Sequence, residues 1–263
     1  MPSGGKIGAE LEAMRRDWDR RARENARFYV ATGRAHWSDA EFFQSGERTV
    51  AEHILTDMPN ICQGRDPKQM TVLEIGCGAG RVTRALAQVF GEVYAVDISA
   101  EMVRQARAAL ADRPQVYVLR NNGKDLGVLG DVRFDFAFSC IVFQHIPSRK
   151  VIESYVAEVH RLLRDGALFK FQIQGDTTMD AAAHDSWLGV AYAEREVREM
   201  AWRRGFRMQY QNGAGTPDYW LWFFKPRFTL AVRAKAWWYR GKQALRMTVR
   251  AWRRLRADVS AWF

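Results

Sequence analysis

From Thr71 to Gln174, short runs of β-forming residues alternate with stretches of helical period, and nothing else in the chain constrains its fold as strongly. The strand-like runs are TVLEI (71–75), EVYAVDI (92–98), QVYVLR (115–120), FDFAFSCIVF (134–143) and ALFKFQIQ (167–174). Helical periods fill 81–90, 99–110 and 148–163 between them. Strands joined through helices run parallel, because each crossover returns the chain to the same end of the sheet. The runs are near-continuously apolar, which predicts burial on both faces. The expected class is α/β, a doubly wound sheet. Residues 175–205 read as an insertion followed by a helix. Residues 206–224 read as two strands around a turn at Gly213–Pro217, making seven strands in all.

Ahead of the sheet, residues 10–31 read as an Arg-rich helix carrying Trp18, Phe28 and Tyr29. Ser38, with Glu41 three residues on, forms a capping box that opens a second helix. Three regions follow: an N-terminal helical cap at 1–69, a body at 70–226 and a basic helical tail at 227–263.

The tail stands out by charge. Of the net +10, residues 225–263 carry all of it, with eleven Lys/Arg against Asp258 alone; the other 224 residues balance 29 against 29. Leu245, Val249, Trp252, Leu255, Val259 and Trp262 recur at helical steps, with arginines around the remainder. Three readings are open: a peripheral anchor on an anionic membrane surface, packing or dimerisation through the apolar stripe, and nucleic-acid binding. The neutral body argues against nucleic acid. Three scattered cysteines without a CxxC pair argue against a zinc site or a disulfide framework. The first thirty residues contain no apolar signal segment, and no run approaches the ~18 apolar residues of a spanning helix. The expected location is cytoplasmic, at the inner membrane face if the tail engages lipid.

Gly76, Gly78 and Gly80 follow the first strand directly. A dinucleotide fingerprint needs its third glycine at position 81, which is Arg81, so a nicotinamide cofactor fits poorly. Asp97 ends the second strand, where a carboxylate can accept hydrogen bonds from two ribose hydroxyls. Read as E-x-G-x-G-x-G from Glu74 to Gly80, the stretch resembles motif I of the class I S-adenosylmethionine-dependent methyltransferases of small-molecule type. RNNGKDL after the third strand, FDFAFSCIVFQHIP and LLRDGALFKFQI resemble that family's later motifs, in order. Where the family has Leu-x-Pro-Gly-Gly, this chain keeps only Gly166. The resemblance covers roughly residues 70–225. It implies a Rossmann-like fold and S-adenosyl-L-methionine as cofactor. The cofactor residues it implies are Glu74, Gly76, Cys77, Gly78, Gly80, Asp97, Ile98, Asn122, Gly123, Ser139 and Cys140.

Methyl transfer from a sulfonium needs in-line positioning and, for a hydroxyl acceptor, removal of a proton. His145 follows the fourth strand on the ligand-binding edge of the sheet; base and pocket lining are both open as its role. Gln144 beside it is a candidate to orient substrate. Tyr29 on the cap and Trp187 in the segment 184–189 are candidate acceptor contacts. No carboxylate follows the fourth strand at Ser139–Cys140–Ile141, so no metal is expected, and the amino-methyltransferase signature with paired prolines is missing. The expected reaction is O-methylation of a small-molecule or lipid-linked acceptor. The alternatives are a nucleic-acid methyltransferase and a non-catalytic protein acting in assembly through its tail.

Overall fold

The computed structural model describes residues 3–31, 34–179 and 187–227. Seven strands form one sheet: β1 (Thr71–Ile75), β2 (Glu92–Asp97), β3 (Val116–Arg120), β4 (Phe134–Ser139), β5 (Leu163–Ile173), β6 (Arg207–Asn212) and β7 (Tyr219–Phe224). Their order is β3-β2-β1-β4-β5-β7-β6. The first five are parallel, and β7 runs antiparallel to both neighbours. This is the expected Rossmann-like sheet of class I methyltransferases. Burial explains the parallel core: β4 is buried at every residue, whereas the edge strands β3 and β6 are half exposed.

Among the described residues seven α-helices flank the sheet: α1 (Ser3–Val30), α2 (Asp39–His53), α3 (Met58–Cys62), α4 (Arg81–Val89), α5 (Ala100–Ala109), α6 (Arg149–Leu162) and α7 (Glu194–Arg203). Val151, Val156, Val159, Val197 and Met200 of α6 and α7 pack with Phe169, Phe171 and Phe223 on one sheet face. Val50, Val82 and Leu86 of α2 and α4 pack with Phe136, Phe138 and Trp220 on the other. Ser38 caps α2 through the expected box: its Oγ accepts the Glu41 N–H at 3.3 Å, and Glu41 Oε2 accepts the Ser38 N–H at 3.2 Å.

Two boundaries differ from the sequence reading. The run 134–143 stops being strand at Ser139, because Ile141 turns left-handed (φ 57°) and Phe143–His145 form a 3-10 turn. β5 starts at Leu163 rather than 167, since Gly166 and Ala167 pair with the backbone of Lys225 beyond β7. By contacts the chain divides into Met1–Pro226 and Arg227–Phe263. The cap at 1–69 and the body at 70–226 thus share one unit. The tail expected at 227–263 lies, after Arg227, outside the described residues.

Candidate active site

The turn after β1 is tied to the end of β2. The Gly76 and Cys77 N–H groups donate to Val96 O at 2.7 and 3.1 Å, and Gly78 N–H donates to Asp97 Oδ2 at 2.9 Å. Gly76 (φ 76°), Gly78 (φ 52°) and Gly80 (φ 86°) all sit in the region that favours glycine. Space demands it too: a Cβ on Gly76 would lie 2.3 Å from Val142, and one on Gly78 would lie 2.6 Å from Val30. The end of α1 and the loop after β4 therefore roof the turn. Asn25 shapes that roof. Its non-helical backbone breaks α1, and its Oδ1 accepts the Phe28 N–H at 3.1 Å, restarting the last turn that carries Tyr29 and Val30.

Beneath the roof lies a cavity of about 860 Å3, counting its open mouth. Glu74, Gly76, Cys77, Gly78, Asp97, Ile98, Cys140, His145 and Tyr29 line it. Asp97 is buried, and Ser99 N–H donates to its second oxygen at 2.9 Å. Burial pushes its carboxyl up to about 6 and that of Glu74 up to about 7. Glu74 accepts the Thr83 hydroxyl at 2.6 Å. Cys77 and Cys140 are thiols held protonated by burial, Cys140 at about 12.

Two lining residues escaped the sequence reading. Asn121 donates through Nδ2 to Tyr155 at 2.6 Å, while its buried Oδ1 has no hydrogen-bond partner among the described residues. Asn122, the residue expected there, lies outside the cavity; its Oδ1 accepts the Lys124 and Asp125 N–H groups and shapes the loop. Gly123 keeps that loop's positive φ (76°) and packs under Ile98. Arg81 is a buried strut between helices, donating to Ser45 O and Thr49 Oγ1, both at 2.9 Å. Its Nε is buried without a partner among the described residues. A cavity walled by an orphaned acceptor, an orphaned cationic donor and a buried carboxylate fits a ligand with donor, anionic and hydroxyl groups.

Gly80 and Ser139 stand outside the wall. Gly80 caps α4 without a side chain and packs on Leu110, and Ser139 Oγ ties β4 to β1 by donating to Ile75 O at 2.9 Å. His145 is buried, with Nδ1 2.6 Å from the Trp187 carbonyl. A carbonyl only accepts, so Nδ1 carries the proton and, in the neutral ring, Nε2 is the basic nitrogen. Trp18 meets the imidazole edge-on at 5.5 Å and Trp187 lies tilted at 5.3 Å. Tyr29 touches Trp187 edge-on at 6.1 Å. Trp187 is not on the cavity wall itself but meets His145 and Tyr29, which are. Gln144 is not on the cavity wall, and its buried Oε1 has no partner among the described residues. Among the described residues, no group of three His, Cys, Asp or Glu is placed to hold a metal ion.

Fold and cavity define a doubly wound nucleoside-cofactor protein. Residues 73–171 match the family model of a methyltransferase domain. Over those residues the chain is similar to methyltransferase domains, as its resemblance to the class I S-adenosylmethionine-dependent methyltransferases implies. Malonyl-[acyl-carrier protein] O-methyltransferase of Hamiltonella defensa is 33% identical over 106 residues, 40% of this chain and 38% of that protein. The Pectobacterium atrosepticum protein of that name is 30% identical over 157 residues, 59% and 56% of the two chains. The chain thus spans about half or less of the length of these curated relatives. Magnesium protoporphyrin IX methyltransferase of Synechocystis, solved with bound S-adenosylmethionine, shares the fold: TM-score 0.58, 17% identity, 82% of this chain and 97% of that one.

Proposed function

We propose that the protein moves a methyl group from S-adenosylmethionine to an oxygen of a small-molecule or lipid-linked acceptor, without a metal ion. The carrying observation is the pair of orphaned groups in the cavity wall, Asn121 Oδ1 and Arg81 Nε, beside the Asp97 carboxylate. Asp97 accepts the ribose hydroxyls, Asn121 Oδ1 the adenine amino group, and Arg81 draws the α-carboxylate. When bound, the cofactor supplies an electrophilic methyl group on a sulfonium. The acceptor hydroxyl gives its proton to His145 Nε2, which the Trp187 carbonyl keeps in the basic tautomer. Trp18 and Trp187 pack on that imidazole, and Tyr29 packs on Trp187. The O-methyltransferase relatives support oxygen as the acceptor atom.

The basic segment 225–263 supports a peripheral site on an anionic membrane, with each Lys/Arg near the surface adding roughly 1 kcal/mol. Among the described residues, no helix is long and apolar enough to cross a membrane. The test supplies methyl-labelled S-adenosylmethionine and purified protein to cell extract, then separates lipid, aqueous small-molecule and RNA fractions. Label in the lipid or small-molecule fraction supports the reading. Label in RNA alone, or none above a His145→Ala control, overturns it.

A further inference from the structure

β5 is a central strand, yet its sequence LFKFQI alternates. Phe169, Phe171 and Ile173 enter the core under α6 and α7, while Lys170 and Gln172 point to the opposite face. A sheet face that lay only against other apolar side chains would not carry them. They instead line a second cavity between α2, β5 and the β6–β7 hairpin, about 1540 Å3 counting its mouth. Lys170 is buried and held on all sides: Nζ donates to His53 O at 2.6 Å and Asp57 Oδ2 at 2.9 Å, and lies 4.5 Å over the Trp222 ring.

The second cavity shares a wall with the first, since Cys140 and Ile141 line both. Ile141 is β-branched and left-handed, a conformation that persists only where the surroundings impose it. Here Gln172 imposes it. Its Oε1 accepts the Ile141 N–H at 3.1 Å, and its Nε2 donates to Asp218 in the hairpin turn. An amide on the floor of the second cavity thus sets the partition between the two.

We infer that this second cavity binds the methyl acceptor, and that the acceptor is a neutral, hydroxyl-rich molecule of the polyol or glycoside class, its reactive hydroxyl passing Ile141 into the cofactor cavity. The inference rests on the methyl-transfer reading above. Three carboxylates, Glu52, Asp57 and Asp218, face one ammonium, Lys170, so an anionic acceptor is opposed. An apolar acceptor would strand those carboxylates and the neighbouring hydroxyls and amides. The Trp220 indole lies between His53 at 4.3 Å and Phe138 at 6.0 Å, so hydrogen bonds rather than ring stacking select the ligand.

Saturation-transfer NMR on the full chain with bound S-adenosylhomocysteine tests this, with methyl glucoside, methyl rhamnoside and inositol as probes and malonate as the acidic counter-probe. At least one polyol should receive saturation. Glu52→Ala and Thr56→Ala, both on the exposed rim and away from the cofactor cavity, should each weaken it roughly tenfold. Their S-adenosylhomocysteine affinity, read by calorimetry, should match wild type. Saturation of malonate alone, of no polyol, or of polyols equally in the variants overturns the inference. Wild-type protein that fails to bind S-adenosylhomocysteine would instead remove the methyltransferase reading, and the inference with it.

Discussion

Asn121 and Asn122 are neighbours of one type with opposite placements. Asn121 follows directly on β3, buried, with an orphaned acceptor in the cavity wall, while Asn122 spends its amide on the next loop. Asn121→Ala should weaken S-adenosylhomocysteine binding by about 1–2 kcal/mol, roughly tenfold, the worth of a buried hydrogen bond. Asn122→Ala should leave affinity within a factor of about two, and calorimetry separates them. Nothing in the sequence chooses between the two, because the choice depends on where the β2–β3 ladder ends, at Asp97 opposite Arg120. Asp97 carries a pH signature. Its carboxyl is raised to about 6 by burial, so in cofactor-free protein it holds its proton well above an ordinary aspartate. This group's contribution to stability is complete below about pH 4 and lost as pH rises through 6. Ribose hydroxyls favour the ionised form, so affinity should rise between pH 5 and 7 and level off above. A flat calorimetric profile, or one unchanged in Asp97→Ala, would contradict the ribose assignment.

Elements were more legible than residues, because periodicity is a property of many residues at once. The alternation at 71–174 specified the parallel sheet, and Ser38 with Glu41 specified the start of α2. The end of β4 was hidden, since residues 134–143 are apolar past the point where Gln172, distant in sequence, turns Ile141 aside. The departure at Arg164–Ala167 is also a matter of elements: Arg164 pairs with Asp135 at 2.6 Å, and the retained Gly166 occupies the left-handed position (φ 88°). The crossing of α2 over the start of α4 needs Gly46, where a Cβ would lie 2.0 Å from the Arg81 carbonyl. Gly46→Ala should cost roughly 1–3 kcal/mol of unfolding free energy in urea. It should also weaken cofactor binding, because Arg81 and the turn before it move together.

For the whole molecule, charge and fold are separated along the chain. Residues 1–224 are balanced and the last 39 hold the entire net charge. Deleting residues 227–263 should keep S-adenosylhomocysteine binding and abolish co-sedimentation with anionic vesicles; unchanged sedimentation would exclude membrane attachment through this segment. One feature of the body bears on turnover. Val30 and Val142 lie directly on Gly78 and Gly76, two segments far apart in sequence meeting over one bed. An occupant of that bed would have to pass the last turn of α1, which restarts after the break at Asn25. Association of S-adenosylhomocysteine should then quicken in Val30→Ala, read by stopped flow, and an unchanged rate would exclude a barrier at this contact. Departure of the spent cofactor rather than chemistry would then pace turnover, with the kinetics of a turnstile.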